Sequence, residues 1–209
     1  MPAAPAPDQI LAELLAPHAA SAIDGTSERI LDAALERFLL VGLRRTTVED
    51  VARRAGVGRV TVYRRIGHKR ELVEAVILRE TRRVIARVAS EISGLESAEQ
   101  RLVEGFVLGL RAVRTHPLLE RLLETEPEDL LPYLTLEAGE SMAVGRRFVA
   151  QQIVGETPGR NQDRELAAEI ITRLAHSLVL TPDGGIPLDD EHGLREFARN
   201  FLAPLISDH

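Results

Sequence analysis

The chain has 209 residues, 44% apolar and 28% charged, a balance that fits an ordinary globular protein burying roughly 70% of its unfolded surface. With no cysteine it can hold no disulfide, thiolate metal site or thiol redox switch, and no run of about 18 apolar residues offers a membrane span. A net charge of −6 argues against nucleic acid until it is resolved along the chain: residues 27–89 carry 15 Lys and Arg against 8 Asp and Glu, and residues 90–209 carry 11 against 21.

A basic N-terminal unit on an acidic body is the asymmetry expected where one end meets a polyanion. Residues 1–26 read as a poorly ordered extension rich in Ala and Pro, with room for a short helix over Asp8–Leu15. Holding no Lys or Arg, it cannot serve as a minor-groove arm. MPAAPAPDQ lacks the basic region of a secretory signal, so a cytoplasmic protein is expected.

The next stretch predicts a helix over residues 27–41, with Ile30, Leu31, Ala34, Leu35, Phe38 and Leu39 as its apolar stripe and Gly42 as its stop. From Thr46 the chain reads TTVEDVARRAGVGRVTVYRRIGHK. Val48, Val51 and Ala52 share one helical face, Thr47 and Asp50 stand in capping-box positions, and Ala55 and Gly56 make a corner. A second short helix, from about Gly58 to Arg65, turns Val62 and Ile66 inward and Arg59, Thr61, Tyr63 and Arg64 mostly outward. Two helices joined by a three- to four-residue glycine turn make the DNA-binding helix-turn-helix.

A long helix then runs from His68 or Lys69 to about Ser93, with Leu72, Val73, Val76, Ile77, Val84 and Val88 inward, and nothing after Lys69 alternates like the β-hairpin of a wing. Ser97 and Gln100 form a capping box for a helix reaching His116, and Pro117 and Pro127 suit first-turn positions of the next two. The latter is expected to extend to about Val154, kinked by Pro132, Gly139 and Gly145. Beyond the loop ETPGRNQD come helices over about Arg164–Leu180 and Glu191–Ile206. Their stripes are Leu166, Ile170, Ile171, Leu174 and Leu178, then Leu194, Phe197, Ala198, Phe201, Leu202 and Leu205. The expected fold is all-α, of about nine helices. A helix-turn-helix DNA-binding domain over 27–72 precedes a larger helical ligand-binding and dimerisation domain over 73–209.

The stretch SERILDAALERFLLVGLRRTTVEDVARRAGVGRVTVYRRIGHKRELVEAVI resembles the DNA-binding domain of the tetracycline-repressor (TetR/AcrR) family. Thr47, the run Ala52–Val57, Thr61–Val62–Tyr63, Lys69 and Leu72 carry the likeness, which is close over about 50 residues. It implies a homodimer on a palindromic double-stranded DNA operator, acting by default as a repressor, with a pocket for a small-molecule effector in the C-terminal body. Gly58 departs from the usual serine cap, Ile66 from a common aromatic, and Gly67–His68 from the usual approach to Lys69.

Within such a motif the start of the second helix meets base edges and flanking groups hold phosphates. Arg59 is the leading base reader, since arginine can bond bidentately to guanine, and Val60 suits a thymine methyl. Thr61 and Arg64 suit bases or phosphates; Tyr63, Thr47 and Lys69, the one lysine in the chain, suit phosphates. Arg53 and Arg54 read as solvated or paired with Glu49 and Asp50. The ridge Arg79, Arg83, Arg87 reads as solvated or paired internally.

The helices near 164–180 and 191–206 are expected to pair with a partner's in a four-helix bundle. Phe106, Leu110, Tyr133, Met142, Phe148 and His176 are candidate ligand contacts, each also a plausible core residue. With two Tyr and five Phe in the chain, an aliphatic tunnel for an apolar or acyl-type effector fits better than an aromatic cage. The acidic run Glu120, Glu124, Glu126, Glu128, Asp129 reads as a solvated face, with a cationic ligand as the sharper reading. No Glu-x-x-His, nucleophile elbow or phosphate loop occurs, so neither an enzyme nor a cofactor is expected. The remaining alternative is a helical scaffold or small-molecule-binding protein without operator control.

Overall fold

The computed structural model describes residues 25–153 and 161–206; residues 1–24, with the expected Asp8–Leu15 helix, and most of ETPGRNQD lie outside them. Among the described residues there are ten α-helices and no strand. They are α1 Gly25–Arg45, α2 Val48–Ala55, α3 Arg59–Arg65, α4 Lys69–Ile92, α5 Ala98–Arg114, α6 Pro117–Thr125, α7 Pro127–Leu134, α8 Gly139–Ile153, α9 Asn161–Leu180 and α10 Glu191–Phe197. Among the described residues no helix is long and apolar enough to cross a membrane.

The chain divides into two compact units. The first takes residues 25–80 and 115–141, the second residues 81–114 and 142–206 of those described. The core of the first joins Ile30, Leu31, Ala34 and Phe38 of α1 with Val51 and Ala52 of α2, Val62 of α3 and Leu72, Val73 and Val76 of α4. Leu118, Leu122 and Leu130 of α6 and α7 complete it. Each large side chain sealed this way contributes about 1.5–3 kcal/mol. Arg79 lies in this unit too and is 4% exposed, donating to the Asp32 carboxylate at 2.9 Å and pairing with Glu28 and Glu80. It is paired internally, as one reading of the arginine ridge expects, and ties α4 to α1.

The second core packs Leu102, Val103, Phe106, Val107 and Leu110 of α5 against Ile171 and Leu178 of α9, with Leu194, Ala198 and Leu202 from the C-terminal segment. The α5 capping box forms as read, with Gln100 N–H donating to Ser97 Oγ at 3.1 Å.

Three expectations are corrected. The helix expected from Pro127 to Val154 is two helices. Pro132 supplies no N–H to the ladder, its carbonyl accepts from both Thr135 and Glu137, and Thr135 leaves helical geometry (φ −125°, ψ −89°), so the chain turns before restarting at Gly139. The final helix does not run unbroken to Ile206. Beyond Phe197 it widens into a π turn, Ala198–Leu202, closed by Ala203 N–H on the Ala198 carbonyl, and then a 3-10 turn, Ala203–Leu205. Pro204 can return no bond to Asn200, and its ring crowds that carbonyl, so the ladder loosens there. The stripe read along α9 is also split: Ile171 and Leu178 are buried, whereas Leu166 and Ile170 are 55% and 51% exposed. Being one residue apart, Ile170 and Ile171 cannot both point inward.

Gly42 interrupts α1 as read, but in a conformation other than a left-handed cap. Its φ of 85° and ψ of 175° belong to a region that is essentially glycine's own. A Cβ there would also collide with the carboxylate of Glu126.

Candidate nucleic-acid interface

The interface is built from short-range capping. Thr47 precedes α2 in extended geometry; its hydroxyl accepts from Asp50 N–H at 3.1 Å and donates to the Asp50 carboxylate at 2.7 Å. The Thr47 hydroxyl holds the Asp50 carboxyl below the ordinary carboxylate range, with the Arg53 guanidinium adding to the effect. Gly56 ends α2 in the left-handed region (φ 66°, ψ 36°), and Val57 N–H closes the turn on Ala52 at 3.0 Å. Gly58 then stands extended ahead of α3 and, having no side chain, offers no cap.

On α3, Val62 is fully buried and anchors the helix. That orientation turns Arg59, Val60 and Arg64 outward, Val60 being 78% exposed, with Thr61 and Tyr63 half-buried beside them. Arg59 already has a partner: its Nε and Nη2 donate to the Tyr63 hydroxyl at 3.1 and 2.8 Å, which raises the pKa of the guanidinium. The same guanidinium stands 5.2 Å from the centre of the Tyr63 ring, whose other neighbour is His68 at 5.0 Å. Tyr63 is therefore a support for Arg59 as well as a polar group in its own right.

The unusual approach to α4 has a simple solution. Gly67 adopts φ 120°, and Glu71 reaches back to accept from His68 N–H at 2.9 Å. Hydrogen bonds from its own backbone and from that of His68 hold the Glu71 carboxyl below its ordinary range. Lys69 begins the helix with its ammonium on the Arg44 carbonyl at 3.2 Å. Arg53 pairs with Asp50, as read, but Arg54 pairs with Glu36 at 2.5 Å, a long-range partner with no local sequence signal.

The acidic run is expected to be a solvated face; Glu126 and Asp129 depart from that, while Glu128 stays largely exposed. Glu126 accepts from the backbone of Leu43 and Arg44, and Asp129 and Glu128 face the Arg44 side chain. Nothing local announces these partners, which lie over 80 residues apart. Arg44 is likewise an interface candidate that the motif alone does not single out.

The six candidate ligand contacts do not gather in one place. Phe106 and Leu110 are buried in the second core, where the Phe106 ring lies 6.3 Å from that of Phe197. Phe148 is also buried in that unit, near Gly105, while Met142 and His176 are half-buried. The Nε2 atom of His176 and the hydroxyl of Thr172, one turn apart on α9, are buried without a hydrogen-bond partner. Tyr133 belongs to the first unit, against the helix-turn-helix core, where burial raises the pKa of its phenol. A groove of about 680 Å³ in the second unit runs between Glu91, Ile92 and Leu95 and Val103, Glu104 and Arg199; none of the six lines it.

The sequence model for bacterial regulatory proteins of the tetR family matches residues 30–76, and that for the bacterial tetracyclin repressor C-terminal domain matches residues 97–194. The chain is 26% identical over 181 residues to the uncharacterized HTH-type transcriptional regulator Rv1255c of Mycobacterium tuberculosis (strain ATCC 25618 / H37Rv), covering 87% of this chain and 85% of that protein. It is 41% identical over 58 residues to the HTH-type transcriptional regulator SrpR of Pseudomonas putida, 28% of this chain and 27% of that one. Among solved structures it resembles the TetR family repressor AlkX from Dietzia sp. strain DQ12-45-1b, with a TM-score of 0.66, 24% identity and coverage of 90% and 100%. It also resembles the R. erythropolis repressor QsdR, with a TM-score of 0.61, 21% identity and coverage of 88% and 97%. These two likenesses speak for the fold. With both domain models of one family matched in order, and a helix-turn-helix whose second helix is anchored by Val62 and presents Arg59, this chain belongs to the tetracycline-repressor family and is a DNA-binding transcriptional regulator.

Proposed function

We propose that the protein is a homodimeric repressor that leaves a palindromic operator when a small, largely apolar molecule binds its C-terminal domain, residues 73–209, while residues 27–72 form the DNA-binding domain. The observation that carries the DNA half is the α3 surface, where one fully buried valine fixes which side chains face outward. Arg59 reads a base pair, Val60 meets a thymine methyl, Thr61 and Arg64 serve bases or phosphates, and Thr47, Tyr63 and Lys69 hold phosphates.

For the dimer, support comes from apolar side chains on the two C-terminal segments. Leu166 and Ile170 of α9 and Phe201 are more than half exposed, an arrangement that a partner's equivalent face would cover. Two recognition helices then meet half-sites about 34 Å apart. For the effector, the apolar interior around Phe106, Leu110 and Phe148, with the unpartnered polar atoms of His176 and Thr172, supports an aliphatic ligand carrying one hydrogen-bonding group. Such a ligand must bind the two conformations unequally to shift them.

Selection of DNA from a random pool, followed by a screen for small molecules that release the winning site, tests this reading. A palindrome with half-sites about one helical turn apart is expected. Recovery of no preferred sequence, or tight ligand binding with no release of DNA, counts against it.

A further inference from the structure

Glu126, Glu128 and Asp129 open α7, and all three engage the end of α1. Glu126 Oε2 accepts from Leu43 N–H at 2.6 Å and Arg44 N–H at 3.1 Å. It thereby caps the turn that leads from Gly42 into Thr47, although it stands 83 residues from Leu43. The Arg44 side chain donates through Nε to Asp129 at 2.9 Å and faces Glu128 through Nη2 at 3.6 Å. The Arg44 carbonyl, in turn, accepts from Lys69 Nζ. One arginine thus joins two proposed phosphate ligands: its carbonyl holds Lys69, and it lies three residues before Thr47.

The arrangement of charges around the Arg44 side chain adds little stability: that side chain is 65% exposed and that of Glu128 87%, and although Asp129 is 34% exposed, water reaches the guanidinium it holds. What it does decide is which group occupies the guanidinium. An arginine fork fits a phosphate as well as it fits a carboxylate. We propose that Arg44 is a further phosphate ligand of the DNA-binding face, and that Asp129 and Glu128 are internal competitors occupying its side chain while DNA is absent. The proposal rests on the DNA-binding reading above. Glu126 is the anchor: it holds the backbone of residues 43 and 44, and so keeps the competing carboxylates beside Arg44 after the side chain has swung away.

On binding, the wild type uncovers two carboxylates, which gather cations while the DNA sheds its own. Removing the carboxylates should therefore tighten binding and also steepen its dependence on salt. The experiment is a titration of the selected operator by fluorescence anisotropy between about 50 and 200 mM salt. It compares the wild type, Glu128→Gln with Asp129→Asn, Arg44→Ala, the three changes together, and Glu124→Gln, an exposed carboxylate of α6 that controls for general charge. The paired carboxylate variant should bind several-fold more tightly, with a slope steeper by about one unit. Arg44→Ala should bind several-fold more weakly with a slope shallower by about one, and the carboxylate changes should then have no effect. Arg44→Lys, which keeps the charge, should retain most of the slope and so separates loss of a phosphate contact from loss of fold.

A gain from Glu124→Gln equal to that of the pair, or a gain that survives in the Arg44→Ala background, overturns the proposal in favour of a general field. Unchanged binding by Arg44→Ala overturns it as well. A wild type that binds no DNA sinks both the proposal and the reading beneath it, whereas normal wild-type binding with silent variants sinks the proposal alone.

Discussion

Arg59 does not wait free in solution. Its Nε and Nη2 rest on the Tyr63 hydroxyl one turn along α3, which limits the rotamers it must lose in the proposed contact with a base. Replacing Arg59 with Ala should relax selectivity at one base pair and cost about 1–3 kcal/mol of operator binding, read by competition with singly altered operators. Lys69→Ala should instead weaken binding to all sequences alike and flatten the salt slope by about one unit. Loss confined to one operator position would reverse the two roles. Asp50 supports the same face from beneath. Its folded pKa is depressed, so its contribution to stability is present above the ordinary carboxylate range near pH 4 and is lost as pH falls through the lower folded value. Melting temperatures of the wild type and Asp50→Asn should differ at about pH 6 and converge in strong acid.

At the scale of elements, Gly42 shows how a local feature and a distant one can fix the same position. Gly42→Ala meets an unfavourable φ of 85° and a collision with Glu126, so it should destabilise the fold by about 1–3 kcal/mol by denaturant titration. A sequence reader finds the stop at Gly42 because glycine is rare inside helices, but cannot find Glu126, since nothing at 126 points to residue 42. The same division runs through the rest of the chain. Apolar spacing is enough to read α1 to α5 and the helix-turn-helix, because each keeps a regular stripe on one face even where its core partners, such as Ile171 and Leu178 for α5, lie far along the chain. Prolines announced trouble at Pro132 without saying whether the helix would bend or stop; the two bonds onto its carbonyl decide that. Adjacent isoleucines on α9 hid which face was inward. Tyr133 is grouped with Phe106 and Phe148 as a candidate ligand contact because composition carries no address, and it packs instead against the core of the first unit. Of the candidate interface, the outward turn of Arg59 and Arg64 is legible from the motif, while the support of Arg59 by Tyr63 and the engagement of Arg44 need coordinates.

For the molecule as a whole, the apolar side chains left outward on α9 matter most. Exchanging Leu166 and Ile170 for Arg alters no buried position, so the monomer fold should persist while assembly is lost. Sedimentation at micromolar concentration should show a monomer with unchanged helical circular dichroism, and operator affinity should fall with the loss of the second half-site. A dimer that survives both changes would move the interface elsewhere.

Lys69 is the one lysine in the sequence, and its ammonium sits at the mouth of α4 on the Arg44 carbonyl. Amine chemistry on this protein therefore addresses a single side chain, apart from the α-amino group. A blunt acylating reagent would erase one positive charge at the proposed phosphate contacts and leave every arginine as it was. Mass spectrometry of the labelled chain, with and without operator, would then footprint the proposed interface from an unmutated protein, its single lysine acting as a built-in reporter.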